Sequence, residues 1–107
     1  MIQLQLIGHL GADATTNEVN GKTVINFSVA HSEKWRDSQG NDKERTTWVS
    51  CSYWVQSANI SQYLKKGTQV YVEGIPDVKI VTLRDSQQVA SLQLRVNTIQ
   101  LLGGKRD

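Results

Sequence analysis

Along much of this chain, apolar and polar residues alternate with a period of two. Ile2, Leu4 and Leu6 are separated by Gln3 and Gln5, the pattern of a strand with one buried face. Gly8 and Gly11 bracket His9-Leu10 and predict a bulge or bend where that strand ends. Asn20-Gly21 is a tight-turn dipeptide, and beyond it Ile25, Phe27 and Val29 alternate with Asn26, Ser28 and Ala30. Residues 36–44, RDSQGNDKE, hold no apolar side chain and predict a mobile loop. TTWVSCSYWV then resumes as a strand.

The segment QSANISQYLKKG predicts one short helix. Ser57 is a suitable N-cap, Ile60 and Leu64 stand at i and i+4, and Gly67 is a C-terminal stop. TQVYVEG follows as a strand ended by Gly74, with Pro76 marking a break or an edge. VKIVTLR and VASLQLRVNTIQLL are the arms of a hairpin turning at Asp85-Ser86-Gln87-Gln88. The sequence shows no repeat, low-complexity tract or linker. Five or so strands, with a short helix between the third and fourth, predict an all-β fold that closes into a small barrel to remove its edges. That order is the one of the five-stranded Greek-key OB-fold, although an SH3-like barrel or an open α+β sheet gives similar alternation. A chain of 107 residues accommodates one such core, so a single domain over 1–107 is expected.

All three tryptophans fall within EKWRDSQGNDKERTTWVSCSYW, the most hydrophilic part of the chain. Parity divides the strand in two: Val49, Cys51, Tyr53 and Val55 share one face, and Trp48, Ser50, Ser52 and Trp54 the other. The first set is an ordinary core face. The second fills a core badly, because serines bury hydroxyls while adding little volume. It makes a good platform for flat ligands. Six residues of strand put the rings about 20 Å apart, a spacing suited to successive nucleotides. A subunit interface or covering loop also uses tryptophan, and that alternative stays open on the strand alone.

Charge bears on the choice. Net charge is only +2, from 12 basic and 10 acidic residues, so the balance itself favours no partner. Position is more informative: Lys34, Arg36, Lys43 and Arg45 flank the rings, and Lys65-Lys66 end the predicted helix. These cations suit a polyanion whose bases stack on the rings. Glu33, Asp37, Asp42 and Glu44 in the same stretch also fit a plain solvated loop.

With these residues in place, the chain resembles the bacterial single-stranded DNA-binding protein family. LIGHLGAD, VINFSVAHSEKWRD, TTWVSC, YLKKGTQVYVEG and NTIQLLGG match it in order and spacing over nearly the whole length. The resemblance implies an OB barrel that binds single-stranded DNA with little sequence preference, in replication, recombination or repair. It also implies a homo-oligomer, a tetramer or alternatively a dimer. Its stacking aromatics fall on Trp35, Trp48 and Trp54, and the role of Trp35 rests on the resemblance alone. Arg36, Lys43, Arg45, Lys65, Lys66, Lys79 and Arg84 are the cations expected at phosphates.

Departures from the family pattern matter too. Asp77 and Val81 stand where members often carry an arginine and a further aromatic, which predicts weaker or shorter-site binding. Val49 stands where members often place a histidine at a subunit contact. The sequence ends at LLGGKRD, where members continue into a Gly/Gln/Pro-rich linker and an acidic tip, so tail-mediated recruitment of proteins is not expected. A primosomal PriB-like or RNA-preferring OB module, and a protein-protein assembly module using the tryptophan face, are the rival readings.

Other chemistry finds little support. His9, His31 and Cys51 do not make the roughly four-ligand cluster of a zinc site, so no metal or cofactor is expected. No nucleophile-base arrangement or phosphate-cradling glycine motif is present, and a non-enzymatic role is expected. Tyr71 is read as structural. No apolar run reaches the roughly 20 residues of a membrane span, and MIQLQLIGHL lacks signal-peptide features. One cysteine cannot form an internal disulfide, which fits a reducing cytoplasm.

Overall fold

The computed structural model describes residues 1–102. The closing GGKRD, to which the expectation about a tail attaches, lies outside the described residues. Six strands appear: β1 (Leu4–Leu10), β2 (Thr15–Val19), β3 (Lys22–Arg36), β4 (Asp42–Val55), β5 (Gln69–Thr82) and β6 (Gln88–Leu101). They hydrogen-bond in the order β1-β5-β6-β4-β3-β2, and β1 also pairs with β3 through His9–Ala30 and Leu10–Val29. That last contact closes β1, β5, β6, β4 and β3 into a barrel. β2 is an added hairpin strand on the edge of β3, turning at Asn20 (φ 53°) and Gly21 (φ 79°), the left-handed pair that a two-residue hairpin turn requires.

The period-two pattern fills the barrel as expected. Ile25, Phe27 and Val29 from β3, Val49 and Cys51 from β4, Val70 and Val72 from β5, and Leu94 and Val96 from β6 are all buried. Each fully buried aliphatic side chain of this kind contributes about 1.5–3 kcal/mol. Val49, which stands where the family often has a histidine, is 1% exposed and belongs to the barrel core, as its place on the core face of the strand predicts.

Three expectations are corrected. The predicted helix is a single 3-10 turn, Asn59–Tyr63, and it lies between β4 and β5 once β2 is counted. Of the i and i+4 pair only Leu64 is fully buried, so one turn suffices to plug the barrel and nothing draws the helix further. Ser57 stands outside the cap position and accepts from the Asn59 N–H at 3.4 Å, while Gly67 (φ 89°) ends the segment as expected. Residues 36–44 are no open loop. β3 and β4 pair without interruption from Thr23–Val55 out to Arg36–Asp42, so a two-stranded ribbon projects beyond the barrel, and only Asp37–Asn41 form its turn. Finally, β5 does not stop at Gly74. A bulge at Glu73/Gly74 bends it, and it runs on with β6 through Pro76 to Thr82. β1 pairs with β5 only as far as Gly74, so Pro76 sits on a stretch with one free edge, where a strand tolerates proline.

Among the described residues no helix is long and apolar enough to cross a membrane.

Candidate nucleic-acid interface

β4 lies between β3 and β6, and this placement builds the outer face around its tryptophans. The registers set Asn26 and Ser28 of β3 beside Ser52 and Ser50, and set Gln93 and Arg95 of β6 beside the same two serines. Trp48 and Trp54 stand at the two ends of this polar floor, 54% and 42% exposed. Their rings therefore face away from a core that Val49 and Cys51 fill from the other side. Ser52 donates its hydroxyl to Asn26 Oδ1 at 3.2 Å, and Gln93 Nε2 donates to Ser91 at 2.8 Å, so the floor is ordered by its own hydrogen bonds.

Two clefts follow the strip. One, of about 500 Å³, lies beside Trp48 and is walled by Gly11, Asp13, Asn26 and Ser50. The second, of about 360 Å³, lies beside Trp54 and is walled by Ile75, Pro76, Asp77 and Arg95. Ser52 and Gln93 line both, so the two form one path. Gly11 has a specific use here. A Cβ on it would come within 2.5 Å of the Trp48 ring, so the ring rests on bare backbone.

Trp35 is placed differently. It lies on the ribbon opposite Lys43, and the uninterrupted register gives it the parity of Val29, so it leaves the ribbon on the face opposite to Trp48. It is 48% exposed, with Arg36 and Lys43 beside it on one side and Glu33 and Arg45 on the other. The turn beyond it is organised by Asp37, whose carboxylate accepts from the backbone N–H groups of Asn41 (2.8 Å) and Gln39 (2.9 Å). The Asn41 backbone hydrogen bond, followed by those of Gln39 and the Asn41 side chain, holds the Asp37 carboxyl below its ordinary pKa.

The remaining expected cations are scattered. Lys65 and Lys66 open onto a separate cleft with His9 and Tyr63, and Asp13 ties them down through the Lys66 N–H at 2.8 Å and the Lys65 ammonium at 3.9 Å. Lys79 lies opposite Ser91 on the β5–β6 hairpin, with the parity of Asp77 and Ile75, so it extends the tryptophan side of the sheet. Arg84 is at the tip of that hairpin. Tyr71 is elsewhere, on the outer face of β1 and β5, where its hydroxyl donates to Glu73 and accepts from Gln5. That hydrogen bond raises the Tyr71 pKa and lowers that of Glu73.

Arg95 and Gln93 were missed by sequence reasoning. Both belong to the floor through the parallel pairing of β4 with β6, which joins segments far apart in the chain. The alternation of Gln93, Arg95 and Asn97 with Leu94 and Val96 was the available signal, since it marks an outward polar face.

A barrel of this strand order, with an aromatic and polar strip across its outer face, defines the class of OB-type nucleic-acid-binding modules. The chain belongs to the single-strand binding protein family, whose profile matches residues 1–102. It is 51% identical over 74 residues to single-stranded DNA-binding protein 1 of Chlorobaculum tepidum, covering 67% of this chain and 46% of that one. Against the single-stranded DNA-binding protein of Neisseria meningitidis serogroup A it is 38% identical over 104 residues, covering 95% of this chain and 60% of the relative. The chain thus spans about half to three-fifths of the length of these two curated relatives. Among solved structures, the Plasmodium falciparum SSB in complex with ssDNA superimposes with a TM-score of 0.79 at 26% identity, over 96% of both chains.

Proposed function

We propose that this chain is a non-catalytic OB module, spanning residues 1–107, that binds and protects single-stranded DNA with little sequence preference. Replication, recombination and repair are the settings in which such a module acts. The observation that supports this most is the pair of exposed rings, Trp48 and Trp54, at the ends of a polar strip whose reverse face is the barrel core. Successive bases stack on the rings while the serines leave the ring faces open, and each stacked base contributes about 1–3 kcal/mol. Trp35 adds a third ring from the ribbon, and cations along both hairpins meet phosphates. The family membership and the ssDNA complex of the Plasmodium relative support the same partner.

Two finer points belong to this reading. Asp77 lies in the Trp54 cleft, where an acid opposes a phosphate, so a shorter occluded site than in arginine-bearing relatives is expected. A homo-oligomer, tetramer or dimer, is expected from the family and is read directly by sedimentation. Titration of tryptophan fluorescence with oligo-dT tests the function itself. Quenching that duplex DNA does not reproduce and that salt weakens is the expected result. An unchanged spectrum at micromolar protein in low salt sinks the proposal.

A further inference from the structure

Among the described residues, every ion pair uses a cation expected at the phosphate backbone. Arg36 meets Asp42 at 3.3 Å, Lys43 meets Asp37 at 3.9 Å, Arg45 meets Glu33 at 2.8 Å and Lys65 meets Asp13 at 3.9 Å. The paired side chains are exposed apart from the half-buried Asp37 carboxylate, and surface pairs of this kind are individually weak, so a phosphate is free to displace the carboxylate. The displaced acid stays tethered a few ångströms away, however, and repels the phosphate that replaced it. Each of these cations therefore adds little net attraction.

Arg95 stands in a different situation. Its register neighbours are Ser52 on β4 and Ile75 on β5, which puts it on the floor between the two rings. It lines the cleft beside Trp54, it is exposed, and among the described residues it forms no ion pair. Among the described residues Asp77 is the one acid lining that cleft, and its Oδ1 accepts from the Val78 N–H at 2.9 Å. A backbone whose bases stack on both Trp48 and Trp54 has to pass this guanidinium.

We propose that Arg95 is the principal phosphate contact of the Trp48–Trp54 strip, and that the ribbon cations are held self-neutralised by Glu33, Asp37 and Asp42. This rests on the reading of the strip as a single-stranded DNA surface. It shifts the electrostatic weight of binding from the ribbon, where most basic residues near the rings are found, to one residue on β6. The acids of the ribbon then limit affinity.

Fluorescence titrations of the whole chain with oligo-dT, between about 50 and 200 mM salt, test this. One lost phosphate contact lowers the logarithmic salt slope by about 0.7 for single strands, so Arg95→Gln should shrink the affinity ratio between those two salts by about 2.6-fold. Arg95→Lys keeps the wild-type slope, because the charge remains. Arg45→Gln lowers affinity less than Arg95→Gln does, and Glu33→Gln raises it. An unaltered melting temperature for Arg95→Gln checks that its fold is kept. If Arg95→Gln retains the wild-type slope and affinity while the wild type binds, this inference falls and the proposed function stands. An Arg45→Gln loss as large as that of Arg95→Gln also overturns it. A wild type that does not bind at all overturns both.

Discussion

Gly11 lies directly under Trp48: a Cβ at this position would fall 2.5 Å from Cζ3 and 2.6 Å from Cη2 of the indole. The obstacle is the far end of an exposed side chain, which swings aside at little cost. Gly11→Ala should therefore leave the melting temperature nearly unchanged while tilting the ring off its seat, with about a fivefold loss of affinity for oligo-dT. Gly74 offers the contrast. There a Cβ would come within 2.0 Å of the Arg95 carbonyl oxygen, and backbone cannot move aside so cheaply. Gly74→Ala should destabilise the barrel by about 1–3 kcal/mol, read by denaturant unfolding. If the two substitutions behave alike, the seat under Trp48 has no separate role.

Trp48→Ala and Trp54→Ala remove rings that the core does not use. Each should weaken binding by about 1–3 kcal/mol while chemical denaturation midpoints stay close to wild type. A matching loss of stability would mean that the rings are structural, and the stacking assignment would have to go.

The ribbon provides another check. From Ser32 to Arg36 and from Asp42 to Thr46 every residue is exposed, so the core buries no side chain of this part of the hairpin. Replacing 34–44 by a two-residue Asn-Gly turn should move the melting temperature by no more than about 3 °C. The shortened protein should still show quenching from the strip but lose the share that belongs to Trp35. A collapse of the fold would show that the ribbon is needed for more than presentation.

Cys51 gives a pH dependence with a definite sign. Burial in the core raises its thiol from 9.0 to about 12. A folded-state pKa above the unfolded value means that the native state resists losing the proton. The associated stability is complete below about pH 9 and falls away as pH rises toward 12. Unfolding midpoints should decline over that window, and Cys51→Ala should flatten the decline after correction for its lower starting stability. Thiol reagents should label the native chain only at the rate of unfolding. Rapid labelling of the native chain near neutral pH contradicts the burial.

Much of the barrel was legible because period two is a local signal. Val49 and Cys51 against Trp48 and Trp54 needed nothing beyond the strand itself, and Asn20-Gly21 announced its turn. The ribbon was not legible, since a pair of strands that buries nothing leaves no hydrophobic pattern; of RDSQGNDKE, Arg36 and Asp42 to Glu44 lie in the strand ladder and only Asp37 to Asn41 turn. QSANISQYLKKG misled for a related reason. Its i and i+4 spacing is shared by a helix and by a single turn that drops one leucine into a barrel. Pro76 argued for a break because the free edge that accommodates it depends on where β1 ends. Arg95 was hidden most deeply, as its place beside the rings comes from a strand pairing that no short window contains.

That pairing also dictates when the surface comes into existence. β3 with β4, and β5 with β6, are hairpins that close on neighbouring chain and can form in microseconds. The β4–β6 contact is the one parallel pairing among the described residues, and it must bring together strands separated by the 3-10 turn and all of β5. Non-local pairings of this kind are the slow step of small β proteins. A chain that has completed both hairpins but not joined them already displays its tryptophans, with no guanidinium between them. On the proposed function, competence to hold a nucleic-acid strand is thus acquired at the end of folding, as a property of the closed barrel and of neither hairpin by itself.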